Sequence, residues 1–347
     1  MFESGHRFAD GWASKTHANI GERLNAVWYG KHPGAVALAP LSWIYGLIAG
    51  VRRQSYRSGL LATHRPTVPV IVVGNISVGG TGKTPLVVWL SGFLRDNGWR
   101  PGIVSRGYGG IGDKWPQQVR PDSDAIVVGE EAVLLARRCG VPLAVGADRA
   151  AAVDGLLKYH QCDIVISDDG LQHYGLARDI EIVVVDGVRR FGNGLLLPAG
   201  PLRESVSRLR DTDATVTYGI AARGEFSMRY VGETLVGVAD DSRRIDVDEF
   251  PEREVHAVTG IGEPDRFFAT LRGHQFSLKR HVFADHHAFS ARDITFDDDL
   301  PVIMTEKDAI KCERFADERH WYLPVSAQMG EVFVHRLESL LLRIKHG

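Results

Sequence analysis

The stretch that decides the fold is VPVIVVGNISVGGTGKTP, residues 68–85, followed at once by LVVWLSGFL, residues 86–94. Val68 to Val73 is a short β-branched run, apolar on every side, which predicts a buried strand. Leu86, Leu90, Phe93 and Leu94 fall on one face at helical spacing, which predicts a helix directly after it. Between them lie Gly79, Gly80, Thr81, Gly82, Lys83 and Thr84. The last three fill the final places of the Walker A pattern, although Ser77 stands where its first glycine is usual. Small residues let backbone N–H groups close around a phosphate, and a helix N-terminus adds about half a positive charge there. Lys83 suits β- and γ-phosphates, and the Thr84 hydroxyl suits magnesium, so the stretch points to ATP and Mg2+.

Working outward, further apolar runs end in Gly, Asp or Ser: Gly102 to Ser105, Ile126 to Val128, Pro142 to Val145, Asp163 to Ser167, Ile180 to Val185 and Ala214 to Thr217. They alternate with helix-like segments and have no wet face. The expected core is α/β, a P-loop NTPase-like and mostly parallel sheet with helices on both faces. In such a sheet, ligands bind at the carboxyl ends of the strands. Arg106 and Tyr108, Glu130 and Glu131, Arg149, and Asp168 and Asp169 all follow strand ends and are expected to converge. Asp168-Asp169-Gly170 stands where a Walker B carboxylate would hold the metal. From about residue 220 the pattern becomes polar and alternating, which predicts a β hinge into a smaller C-terminal α/β domain. The expected division is a helical segment over 1–65, a kinase core over 66–219, the second domain over 220–330, and a final helix over 331–347 that can return to either domain.

Composition narrows the function. The chain has 347 residues, 44% apolar and 24% charged, with 41 Lys+Arg against 43 Asp+Glu for a net charge of -2. That balance excludes a protein built to coat nucleic acid, wholesale disorder, and a polytopic membrane protein. Cys139, Cys162 and Cys312 are far apart and form neither a zinc motif nor a disulfide framework, which fits a reducing cytosolic setting. Met1 to Lys31 mixes charges without a signal-peptide pattern. Pro33 to Val51 carries no charge and then meets Arg52, Arg53 and Arg57. With Pro40, Trp43 and Tyr45 inside it, this run reads best as a helix lying on a membrane surface; a helix packed on the protein's own core and a true span are the alternatives.

Six motifs in order resemble the tetraacyldisaccharide 4'-kinase family, the lipid A kinases of Gram-negative bacteria: VGNISVGGTGKTP (73–85), SRGYGG (105–110), SDDGLQH (167–173), LPAGPLRE (197–204), FADHHAFS (283–290) and TEKDAIK (305–311). The resemblance implies transfer of the ATP γ-phosphate to the 4'-hydroxyl of an acylated glucosamine disaccharide 1-phosphate, by a peripheral enzyme at the cytoplasmic face of the inner membrane. It implies carboxylates from Asp168, Asp169 and Glu204 around magnesium with Thr84. It further implies phosphate contacts from Arg149 and Arg203, and a Glu130–His286 pair that activates the sugar hydroxyl. The family usually has Asp then Glu where this chain has Glu130 then Glu131, so Glu130 and Asp169 both stand as candidate bases. His287 stands beside His286, and strand alternation would turn only one of them to the cleft. The reading from another class is a P-loop GTPase or ATPase acting as a switch or assembly protein. The nearest approach to a guanine-reading motif, Thr305 to Asp308, lacks the asparagine. A nucleotide-dependent membrane scaffold would leave a carboxylate and a histidine idle beside the loop.

Overall fold

The computed structural model describes residues 24–30 and 32–346. Most of the Met1 to Lys31 stretch and of its charge pattern therefore lies outside the described residues. The described residues form two compact units, one from within 1–61, 76–78 and 187–211, the other from within 62–75, 79–186 and 212–347.

The larger unit holds two sheets. In chain order its strands are β1 (Val70–Gly74), β2 (Pro101–Ser105), β3 (Gln117–Val119), β4 (Leu143–Val145), β5 (Ile164–Asp168), β6 (Ile180–Asp186), β7 (Ala214–Tyr218) and β8 (Phe226–Val231). There follow β9 (Thr234–Gly237), β10 (Arg244–Asp246), β11 (Glu254–Thr259), β12 (Ser277–Val282), β13 (Val302–Thr305), β14 (His320–Leu323) and β15 (Ser326–Met329). The first sheet has nine strands in the order β15-β8-β7-β6-β1-β5-β2-β4-β3. It is parallel except at its two edges, where β3 and β15 run antiparallel. Its middle strands β1, β2, β5 and β6 are buried at every residue. Such strands need cover on both faces, and their all-apolar runs gave that reading its basis. The second sheet has six strands in the order β10-β9-β14-β13-β11-β12. The chain passes from the first sheet to the second between β8 and β9, and returns between β14 and β15.

Helix Lys83–Asp96 lays Leu86, Val87, Leu90 and Leu94, none of them exposed, into the first sheet's core. Each such burial contributes about 2 kcal/mol. The final helix, Glu331–His346, settles the question of its return. Phe333, Leu337, Leu340 and Leu341 join the same core as Leu86 and Leu90. One expected strand is not a strand. Ile126 to Val128 lies in the short helix Ala125–Val128, because the Asp124 side chain accepts from the Ile126 N–H (2.9 Å) and caps a turn that Gly129 ends at φ 95°. The sheet position is taken instead by β3, too polar to be read as a strand.

In the smaller unit, helix Gly34–Arg57 buries only Ser42. The Ser42 hydroxyl donates to the Leu196 carbonyl (2.8 Å) and accepts from the Ala199 N–H (2.9 Å), while the Tyr45 hydroxyl donates to the Arg203 carbonyl (3.1 Å). Val36, Trp43, Ile44, Leu47, Ile48 and Val51 are exposed, Trp43 at 72%. The core-helix alternative is thereby overturned: the apolar side faces outward. By length and composition this helix could also cross a membrane.

Candidate active site

The phosphate loop grows from the end of β1 in the middle of the nine-stranded sheet. The Asn75 amide donates to Thr81 Oγ1 (3.0 Å), and the Asn75 carbonyl accepts from the Gln172 amide (2.9 Å), which ties the loop to the turn after β5. Gly79 and Gly82 take positive φ, 106° and 89°, a conformation that side chains resist and glycine allows. Gly82 is the N-cap of helix Lys83–Asp96 and has no side-chain cap, so the first-turn N–H groups are left to an anion. Tyr230 lies so close over Gly82 that a Cβ there would fall 1.9 Å from its hydroxyl. A larger residue there would have to displace Tyr230 and would strain a backbone held at positive φ.

The carboxylates stand at the neighbouring strand end. Val73 of β1 pairs with Asp168, the last residue of β5, so the aspartate is level with the mouth of the loop. Asp168 is buried; Oδ2 accepts from the Ser105 hydroxyl (3.0 Å), and Oδ1 has no hydrogen-bond partner. Burial, with Asp169 and Glu131 close by, raises its carboxyl to about 6, against the pull of Lys83 and Ser105. Asp169, at φ 47°, places Oδ1 3.5 Å from the Lys83 ammonium. An orphaned carboxylate oxygen crowded by further carboxylates suits a divalent cation. Among the described residues no three His, Cys, Asp or Glu side chains form a metal cage. Magnesium needs none, since it keeps waters and takes phosphate oxygens beside one or two carboxylates.

Arg149 is not a solvated helix residue. At the start of helix Arg149–Tyr159 it is 3% exposed; it donates to the carbonyls of Gly146 and of Asp168 (3.4 Å), and its Nε has no partner. Burial lowers its guanidinium to about 10, in spite of Asp168 and Asp169. Arg106 is exposed after β2.

Glu130 opens helix Glu130–Cys139, where its charge also suits the helix N-terminus. Its Oε2 lies 3.6 Å from His286 Nδ1, so the structure brings these two residues together from the two sheets. The exposed Tyr108 ring packs against the His286 ring, with centroids 5.6 Å apart. His286 sits in a turn beyond β12, at φ 59°, and not in a strand. The turn sends the two histidines apart: His287 Nε2 contacts Asp293 (3.3 Å), and its ring stacks on Phe283. Sequence reading missed Lys307 and Lys311, which meet Glu131 (3.0 Å) and Glu130 (3.5 Å). The signal was present in TEKDAIK, two lysines at i and i+4 facing adjacent glutamates.

In the smaller unit, the Arg203 N–H donates to the Ile76 carbonyl (2.7 Å), and the Val78 N–H to the Pro201 carbonyl (2.8 Å). The LPAGPLRE segment is thus fastened to residues 76–78 of the same unit. Glu204 is buried there, with Arg208 Nε 3.5 Å from Oε2.

A parallel sheet whose central strand feeds a glycine loop and a G-K-T helix start, with an acidic strand end beside it, defines a P-loop nucleotide-dependent protein. The family model for tetraacyldisaccharide-1-P 4'-kinase matches residues 34–342, and the chain belongs to this family. It is 51% identical to the tetraacyldisaccharide 4'-kinase of Nitrosococcus oceani over 314 residues, 90% of this chain and 93% of that one. With the enzyme of the same name from Aeromonas salmonicida it shares 50% over 324 residues, 91% and 97% of the two chains. The crystal structure of the "apo" form of LpxK from Aquifex aeolicus in complex with ATP aligns with a TM-score of 0.75 at 29% identity, covering 89% of this chain and 99% of that one.

Proposed function

We propose that this chain is an ATP-dependent lipid kinase, which moves the γ-phosphate to the 4'-hydroxyl of an acylated glucosamine disaccharide 1-phosphate. The observation that carries the reading is the Glu130–His286 approach at 3.6 Å beside an intact phosphate loop. A switch protein needs the loop but has no use for a proton-accepting pair. The loop amides and Lys83 hold the β- and γ-phosphates, and Lys83 also meets the charge that develops on the transferred group. Arg149, with an unused Nε, adds a second fixed cation; Arg106 and Arg203 serve anionic groups of the two substrates. Thr84, Asp168 and Asp169 would hold magnesium, which would supply neutralising charge for the phosphates when bound. Glu130 and His286 take the proton of the acceptor hydroxyl, and Tyr108 packs the imidazole in place. Asp169 fits the base role less well, because Lys83 already engages it.

The exposed apolar side of helix Gly34–Arg57 serves a substrate that is itself a lipid. Each acyl methylene left in water costs about 0.8 kcal/mol, so the enzyme works where the chains already lie. The helix rests on the membrane without spanning it, at the cytoplasmic face of the inner membrane where ATP is available. We assign residues 66–219 to the kinase core and 220–330 to the second domain, with β8 and β15, which extend the first sheet, forming the β hinge at the two ends of the second range. Purified protein incubated with Mg-ATP and the acylated disaccharide 1-phosphate is expected to add one phosphate to the lipid. ATP hydrolysis with unchanged lipid would return the chain to the switch or assembly class.

A further inference from the structure

Lys311, on helix Glu306–Cys312, meets Glu130 but has no part in the proposed phosphate, metal or proton-accepting groups. Its side chain is 9% exposed, and an ammonium so far from water requires fixed partners. On its own side it has three: Asp308 Oδ1 (3.3 Å), the His287 carbonyl (3.3 Å), and the Phe289 ring with its centroid 5.4 Å away. Asp308 is locked in turn. It is wholly buried, accepts from the Gly260 N–H (3.0 Å) and the Thr305 hydroxyl (2.6 Å), and its own N–H is capped by Thr305 (3.2 Å). The ammonium is therefore placed by the six-stranded sheet before the nine-stranded sheet contributes anything. From there it stands 3.5 Å from Glu130 Oε2, the same buried oxygen that His286 Nδ1 approaches to 3.6 Å and that has no hydrogen bond of its own.

We propose that Lys311 is the positioning residue of the Glu130–His286 pair, holding the glutamate as a carboxylate by direct charge and the histidine-bearing turn through the His287 carbonyl. The proposal rests on the reading of that pair as the proton acceptor. The charged groups facing Glu130 are Lys311 and Lys307 from the helix, His286 from the turn with Asp285 beside it, and Glu131 next in the chain. Burial pushes the Glu130 carboxyl up, but the close imidazole and the two lysine charges outweigh it and leave it below its ordinary value. Removing one cation makes the pair bind a proton more tightly, whichever atom carries it. The deprotonated, active form then appears only at higher pH.

The test is the pH dependence of kcat for lipid phosphorylation in wild type, Lys311→Gln, Lys311→Arg and Glu130→Gln. Lys311→Gln keeps a polar group for Asp308 and His287 but loses the charge. It is expected to move the acid limb up by about one pH unit while KM for ATP and for lipid stays within about twofold. Lys311→Arg is expected to restore the limb. Should Lys311→Gln not fold, the Lys311→Met/Asp308→Asn double variant leaves no buried carboxylate unpaired, and the same displacement is expected of it. A limb that coincides with wild type, or a loss equal at every pH, overturns the proposal. Glu130→Gln separates the two failures. If it retains wild-type turnover, the pair itself is misread; if it is inactive while Lys311→Gln leaves the limb in place, only the role of Lys311 falls.

Discussion

Asp168 shows how burial can set a single carboxylate against the stability of its own fold. Its carboxyl is raised from 3.8 to about 6 by burial and by Asp169 and Glu131. A group raised in the folded state contributes stability that is present below its unfolded value and is lost as pH rises through the folded one. Near pH 8 the fold therefore carries a cost on the order of 3 kcal/mol at this position. Asp168→Asn is expected to melt at a higher temperature than wild type at pH 8, with the gap closing toward pH 4, and to gain less from Mg-ATP than wild type does. A variant less stable than wild type at pH 8 would show that Asp168 serves the fold and not a cation. Arg149 makes the complementary case, a buried cation at the same strand end with an unused donor. Neither feature was legible at the level of residue type. The sequence placed both residues at strand ends, but burial and orphaned atoms arise only when the sheet is assembled.

At the scale of elements, the same apolar vocabulary gives a helix with an exposed apolar side in one place and a capped helical turn, where a strand was expected, in another. Pro33 to Val51 is uncharged, and among the described residues its apolar side is exposed. Replacing Trp43, Ile44 and Leu47 with Ser removes the centre of that face without touching Ser42 or Tyr45, which fasten the helix. The variant is expected to stay at the bottom of a liposome flotation gradient where wild type rises with anionic vesicles, and to show a raised KM for lipid with that for ATP unchanged. Equal flotation of the two proteins would mean that the helix serves something other than a membrane. Ile126 to Val128, by contrast, is as β-branched as any strand here, yet it is helical. A side-chain cap from Asp124 and a glycine stop decide so short a segment more strongly than propensity does. The histidine turn is a second example. FADHHAFS looks like the end of a strand, and only the positive φ of His286 shows that the two imidazoles part because of a turn.

At the scale of the whole molecule, the nucleotide groups belong to the nine-stranded sheet, while His286 and the lysines of TEKDAIK come from the six-stranded one. The six motifs made the family legible because each marks a strand end or turn where chemistry is done. The two compact units were not legible, since residues 76–78 and 187–211 join the N-terminal helix across long gaps in sequence. In the proposed mechanism, Glu130 and His286, from the two sheets, make one proton-accepting unit. Single-turnover rates of γ-phosphate transfer to the lipid for wild type, Glu130→Gln, His286→Ala and the double variant test it most directly. If the two residues act as one, each single change is expected to cost about 10²- to 10⁴-fold, and the double change little more than either alone. Losses that multiply in the double variant would contradict the pair and leave Asp169 as the base.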